Sequence, residues 1–285
     1  MISILKRSLK LLLPKYQKLI LEYRVKLKPR YTTSSPPPYL LELVEKGQSD
    51  YTAWIAKIRN YLPVFHAFKT NELEHNENEP AWNNNFLPGL DIVALYTIIA
   101  ECKPALYIEV GSGNSTKVAR RSIHDNKLRT IITSIDPFPR ASIDHLADKV
   151  IREPFENLKD YGFITDGLNH GDILFIDNSH RCLPNSDVTV FFMEILPKLK
   201  KGVLVHVHDI YLPYDYPQEM CDRFYSEQYL LATALMANPQ RYKIVFPAFY
   251  VSENAELAAS LDDVWKGQYS SQAEKHGGSF WIEIG

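Results

Sequence analysis

Cysteine is scarce in this chain. Cys102, Cys182 and Cys221 are the only three in 285 residues, and none stands at metal-site spacing from another. An odd, sparse set argues against a disulfide framework and suits a reducing compartment, so a cytoplasmic location is expected. Long apolar runs are lacking too. Pro14 interrupts the stretch around Leu11-Leu12-Leu13, and no window holds the ~18 to 20 apolar residues of a membrane span. No small-residue cleavage site follows those leucines, which argues against a secretory signal. Strong overall charge is missing as well: a net charge of −2 speaks against a general nucleic-acid binder. Internal repeats are not found. What remains, 45% apolar and 23% charged residues, is enough for one large globular domain, alone or with an extension.

Charge is nonetheless uneven along the chain. Residues 1–30 carry nine Lys or Arg against the single acid Glu22, with leucines and isoleucines between them. This pattern suggests a basic amphipathic helix, either with one solvated face or in peripheral contact with anionic lipid. Thr32 to Pro38 reads as a linker, because consecutive prolines favour an extended chain. Residues 39–62 look helical, interrupted at Gly47 and ended by Pro63. Asn71–Asn85 is polar and reads as a loop. An N-terminal helical extension, residues 1–85, is therefore expected ahead of a main domain at 86–285.

From residue 86 the pattern turns regular. Strands are expected at Leu106–Val110, Thr130–Ile135, Val150–Arg152, Ile173–Ile176, Val203–Val207, Tyr242–Phe246 and Phe280–Ile284. Helices are expected at Leu90–Cys102, from the residue after Gly113 to about His124, from Ser186/Asp187 to Leu196, and at Phe224–Ala237. Alternating strands and helices imply right-handed crossovers and an α/β, doubly wound, mostly parallel sheet. Ligands of such sheets sit beyond the carboxyl ends of the strands. The strand-end residues therefore matter most.

The first of these ends is the most informative: Tyr107-Ile108-Glu109-Val110-Gly111-Ser112-Gly113-Asn114-Ser115-Thr116 is a strand, a glycine bend and the opening turn of a helix. Glycine lets backbone approach a ligand closely, and Ser115 and Thr116 offer a helix cap. Glu109 would oppose a pyrophosphate but suits ammonium and sulfonium groups, which points to S-adenosylmethionine. The second strand ends at Asp136-Pro137, with Asp136 25 residues after Gly111, near the spacing at which an acid bonds ribose hydroxyls. A nicotinamide dinucleotide stays open as a rival, although the third glycine of its fingerprint would fall at Thr116. At the third strand, Glu153 is a candidate to face the adenosine and Phe155 to pack on the base.

The fourth strand delivers Asp177 and His180, and the fifth delivers His206-Val207-His208-Asp209 beside them. Alternation puts His206 and His208 on one face, with His208 nearer the carboxyl end. Asp177, His208 and Asp209 could converge on a divalent cation such as Mg, with His180 nearby. The other reading is a metal-free cluster in which Asp177 orients a histidine acting as general base. Asp177, His180 and His208 are thus the candidate catalytic residues.

Residues 86–285 resemble a class I S-adenosylmethionine-dependent methyltransferase, similar to bacterial members met in polysaccharide and natural-product pathways. The resemblance rests on Glu109 to Ser115, Ser134-Ile135-Asp136-Pro137, Asp172 to His180 and His206 to Ile210, with Tyr211 to Pro217 also fitting. It implies a Rossmann-like seven-stranded sheet with an antiparallel last strand. It also implies that Glu109, Gly111, Gly113 and Ser115 cradle the methionine part of the cofactor while Asp136 holds the ribose; the adjacent Ser112 and Pro137 are further cofactor-binding candidates. A cation, in metal-dependent relatives, would sit at Asp177 and Asp209. His180 and His208 depart from the residue types of catechol-modifying members, which argues against a catechol; the expected acceptor is an oxygen nucleophile, a sugar or other alcohol hydroxyl. Ala81 to Phe86 and Tyr211 to Pro217 are candidate acceptor walls. A nicotinamide-dependent oxidoreductase and a binding protein that has lost catalysis are the rival functions. The oligomeric state is not legible.

Overall fold

A computed structural model describes residues 19, 21–139 and 143–285. Most of the expected basic helix lies outside the described residues. Its described part, residues 21–30, is not helical. There the backbone is held from outside, by Gln218 Nε2 donating to the Leu27 carbonyl and by Arg30 N–H donating to Asp215.

Seven strands form one sheet: β1 Leu106–Val110, β2 Ile131–Ile135, β3 Lys149–Ile151, β4 Ile173–Ile176, β5 Leu204–Val207, β6 Tyr242–Pro247 and β7 Phe280–Ile284. Their order is β3-β2-β1-β4-β5-β7-β6, with β7 antiparallel to both β5 and β6. The order reverses between β1 and β4, which are parallel neighbours. That reversal opens a crevice at the carboxyl ends, because the chain leaves β1 and β4 toward opposite sides. The expected Rossmann-like architecture with an antiparallel last strand is the one found.

The strands form because their residues can be buried on both faces. Ile173 to Ile176 are all buried, and alternate residues feed different apolar clusters. Tyr107, Ile173 and Phe175 pack on one face, and Ile108, Leu174 and Ile176 on the other. Each fully buried side chain of this kind contributes about 1.5–3 kcal/mol.

Ahead of residue 86 the described residues form the helices α1 Pro38–Glu45, α2 Gln48–Arg59 and α3 Leu62–Ala67. The break at Gly47 is where the sequence placed it. Pro63, however, does not end a helix. It lies in the first turn of α3, where its missing N–H has no intrahelical partner to lose. Val44, Tyr51, Ile55, Ile58 and Phe65 join the apolar cluster that covers one sheet face, so residues before 86 share their core with the sheet. Next comes α4, Gly89–Cys102, buried from Gly89 through Ala100, and it packs against α5, Asn114–Asp125, where Ser122 Oγ donates to the Tyr96 carbonyl.

The helix expected through Leu196 is regular only over α6, Asp187–Val190, capped by Ser186. A π-turn covers Phe191–Ile195, followed by a tighter turn at Leu196–Lys198. Pro197 cannot donate a helical hydrogen bond, so the regular ladder cannot pass through it. The later helix is α7, Glu227–Ala237, shorter than expected because Phe224 takes a left-handed conformation. Among the described residues, no helix is long and apolar enough to cross a membrane.

Candidate active site

The glycine loop is fixed by its neighbours. Gly111 has φ +82°, and a Cβ there would lie 1.8 Å from the Asp177 carbonyl oxygen, so the close approach of β1 and β4 requires glycine. A Cβ on Gly113 would meet nothing within 4 Å, so this residue faces open space. Ser112 N–H donates to Asp136 at 3.0 Å, and Phe138 N–H donates to the other oxygen of that carboxylate at 2.7 Å. Asp136 therefore ties the glycine loop to the end of β2. Each of its oxygens keeps a second lone pair for a ligand hydroxyl.

Glu109 lies beneath the loop, fully buried. Thr116 Oγ1 donates to one of its oxygens, and Ser115 Oγ at 3.1 Å and Tyr107 Oη at 3.3 Å donate to the other. Burial pushes its carboxyl up to about 8, against the opposing pull of these hydroxyl donors. The position where a dinucleotide fingerprint would carry its third glycine is thus occupied by Thr116, bonded inward to Glu109. Glu109 does not line the crevice, whereas Ser112, Gly113 and Ser115 do. At the third strand end Glu153 is exposed and away from the crevice, and Glu156, Phe155 and Pro137 line it instead. The Pro154 bend and the short helical turn after it put Glu156 on the inner side.

The ends of β4 and β5 bring Asp177, His180, His208 and Asp209 together. His180 Nε2 is 3.2 Å from Asp177 and 3.4 Å from Asp209, and His208 Nδ1 is 3.6 Å from each of the same two carboxylates. The far nitrogens are backed as well. Buried Glu227 lies 3.1 Å from His180 Nδ1, and buried Asp91 lies 3.4 Å from His208 Nε2. His180 and Asp209 both have left-handed backbones, with φ of 61° and 54°. Such conformations cost roughly 1–3 kcal/mol and gather at functional sites.

Electrostatics follow from this geometry. Burial alone would lower the His180 imidazole, but Asp177, Glu227 and Asp209 outweigh it and raise it to about 10. His208 is raised in the same way by Asp177, Asp209 and Asp91. Burial would raise Asp177, yet His208 and His180 hold it well below the usual carboxylate range. His206 behaves oppositely: burial keeps it neutral, stacked 3.7 Å from Phe175 with Nε2 bonded to Ser279. It lies outside the crevice.

The expected metal residues Asp177, His208 and Asp209 thus meet, but as an ion-paired cluster. Among the described residues, no group of three or more His, Cys, Asp or Glu is arranged to hold a metal ion. The expected general bases are placed differently: carboxylates face both nitrogens of each imidazole and favour its protonated form.

The crevice is a cavity of about 470 Å³ lined by Gly111, Asp136, Asp177, His180, His208 and Asp209, among others. A side lobe of about 280 Å³ runs along Asn85, Gly113, Asn114 and Ser115. Asn85 and Phe86, expected as acceptor wall, do line it, while Trp82 is a core residue against Phe68 and Trp265. Tyr211 to Pro217 does not. Tyr211 and Tyr216 are buried, and Tyr216 Oη accepts from Gln228 N–H. In its place stand Phe138, Met220, Arg223 and Tyr225, together with Arg181.

Sequence reasoning missed the two backing acids, Asp91 and Glu227. Asp91 had a signal, as the only charge in the apolar run from Gly89 to Ala100. Glu227 had none, since an acid after Ser226 reads as a helix start.

Residues 108–210 match the family model described as a methyltransferase domain. No curated protein matches the chain. Among solved structures, the chain is similar to an SAH-bound Podospora anserina methyltransferase, PaMTH1, at 16% identity. That match covers 68% of this chain and 77% of the other, with a TM-score of 0.41. It is also similar to the plantazolicin methyltransferase BpumL in complex with SAH, at 14% identity over 67% of this chain and 86% of the other, TM-score 0.34.

Proposed function

We propose that this chain is an S-adenosylmethionine-dependent methyltransferase and that it acts on a hydroxyl oxygen of a small polar acceptor, a sugar or another alcohol. The observation that carries the reading is the convergence of Asp177, His180, His208 and Asp209 in the same cavity as the glycine loop. The residues present fit the cofactor. Gly113 leaves open space, Asp136 keeps free lone pairs over the crevice, and Asn85 and Asn114 offer amides in the side lobe. When bound there, the cofactor supplies an electrophilic methyl carbon whose departing sulfur keeps the bonding electron pair.

The protein's work is to place the oxygen and take its proton. Asp177 keeps 36% of its side chain accessible, so its carboxylate can accept a hydrogen bond from an incoming hydroxyl. An attacking oxygen becomes strongly acidic as it forms its new bond, so a weakly basic carboxylate suffices late in the step. His180 and His208 hold Asp177 and Asp209 in place, and Glu227 and Asp91 fix the two rings. Alignment of this kind is worth on the order of several kcal/mol of barrier.

The carboxylate and imidazole set, with a second carboxylate behind each ring, also has the donor chemistry of a divalent cation site. A cation held by Asp177, His208 and Asp209 would have to displace the His208 proton and draw these side chains out of their ion pairs, and would then lower the pKa of the acceptor hydroxyl. The location proposed is cytoplasmic, on the sparse cysteines.

Calorimetry with adenosylhomocysteine and with NAD, and turnover on a panel of hydroxyl acceptors with Mg or chelator, test the reading. Adenosylhomocysteine is expected to bind and NAD is not. Asp177→Ala and His208→Ala should keep cofactor binding and lose about 100-fold or more in turnover. Full turnover in both variants would refute the assigned roles, and binding of NAD alone would refute the cofactor.

A further inference from the structure

The side of the cavity opposite the glycine loop carries charge of the other sign. Among the described residues, Arg181 and Arg223 are the Lys or Arg residues lining it, against Asp136, Asp177 and Asp209. Both guanidiniums lie on the ring of Tyr225, at 5.2 and 4.5 Å from its centre, and that ring stacks on His180 at 4.7 Å. Arg181 donates to the carbonyls of Arg223 and Ser179, which fixes it in place. Among the described residues neither arginine has a carboxylate partner, although the cavity floor is rich in carboxylates.

Two arginines held on a shared aromatic ring, beside the reacting groups and without counter-ions, form a receptor for an anion. The planar fork of arginine matches carboxylate and phosphate oxygens in pairs of hydrogen bonds. On the methyltransferase reading the methionine part of the cofactor takes the side lobe, which is lined by amides and serine hydroxyls and by no arginine among the described residues. We propose that Arg181 and Arg223 bind an anionic substituent of the acceptor, a carboxylate or a phosphate, and so set substrate class. This rests on the methyltransferase reading above. The anion at the arginine edge would turn the hydroxyl toward Asp177, because the carboxylates repel the charged end. An acidic sugar or a sugar phosphate fits this polarity, and a neutral sugar leaves both guanidiniums unpaired.

The test is an NMR titration of the adenosylhomocysteine-loaded protein with glucuronate, glucose 6-phosphate and glucose. At least one anionic probe should bind about tenfold or more tightly than glucose, and high salt should narrow the gap. Which anion wins separates a carboxylate acceptor from a phosphorylated one. Arg223→Gln and Arg181→Gln should each erase the preference while leaving adenosylhomocysteine affinity within about twofold. Arg223→Gln is the decisive variant, since Arg181 also holds two backbone carbonyls and its loss can loosen the loop. Equal binding of all three probes, or a preference that survives Arg223→Gln, overturns the proposal. A parallel loss of adenosylhomocysteine affinity also overturns it, because the arginines would then serve the cofactor. Failure of wild-type protein to bind adenosylhomocysteine is a separate result and sinks the underlying methyltransferase reading.

Discussion

The two ends of the sheet carry cavities of similar size and opposite character. At the carboxyl end the space is about 470 Å³, and at the amino end, beside Trp54, Lys57, Cys102, His170 and Lys243, it is about 440 Å³. Size does not separate them. At the amino end the ion pairs are exposed or half-buried: Lys243 meets Asp50 at 3.4 Å, and Lys57 lies over Trp54 while reaching Glu101. Around the carboxyl end His180, His208, Asp91 and Glu227 are buried, and His180 and Asp209 have left-handed backbones. Burying charge costs several kcal/mol per ion unless partners are placed well. A fold carries that cost where chemistry needs it, so buried charge marks the site better than volume does.

Three experiments sharpen this contrast, beginning with the largest effect. Asp91, a carboxylate within the apolar helix α4, accepts hydrogen bonds from Gly278 and Ser279 N–H and backs His208. Asp91→Ala should lose about 3–5 kcal/mol of stability in a denaturant titration, as expected for breaking a buried pair. A loss under about 1 kcal/mol would mean that the carboxyl end is no more committed than the amino end.

Glu109 gives a pH-dependent effect. Its carboxyl is raised from 4.5 to about 8 in the folded state. The folded protein therefore holds this proton more tightly than the unfolded chain. The stabilisation is fully present below about 4.5 and is lost as pH rises through about 8. Thermal unfolding of ligand-free protein between these values should show wild type losing more stability with rising pH than Glu109→Gln. Parallel slopes would place the ionised form in the fold. The smallest effect belongs to the amino end. Lys243→Ala removes an exposed pair and should change stability by about 0–1 kcal/mol with no change in turnover, measured in the same assays.

The strand assignments were legible because the sheet is buried on both faces, and Leu106–Val110, Ile173–Ile176 and Phe280–Ile284 begin and end where their apolar runs do. Less regular segments were not. The helix after Ser186 gives way to a π-turn before Pro197, and the first turn of α3 accommodates Pro63, outcomes set by local hydrogen bonding. Within the site, Asp177, His180, His208 and Asp209 could be named in advance because a parallel sheet delivers strand-end residues to one place. The distant partners could not, since Asp91 and Glu227 lie about 90 residues upstream and 50 residues downstream of Asp177 and reach His208 and His180 only through packing.

The sequence by itself determined the sheet, the glycine bend at Gly111 and the identity of the residues at the strand ends, because periodicity and glycine's lack of a Cβ act locally. Tertiary structure alone decided that Glu109 lies under the loop, that Glu153 stays outside, and that Arg181 and Arg223 share the face of Tyr225. These outcomes depend on which distant surfaces come into contact, and contact is what sets burial and the pairing of charge.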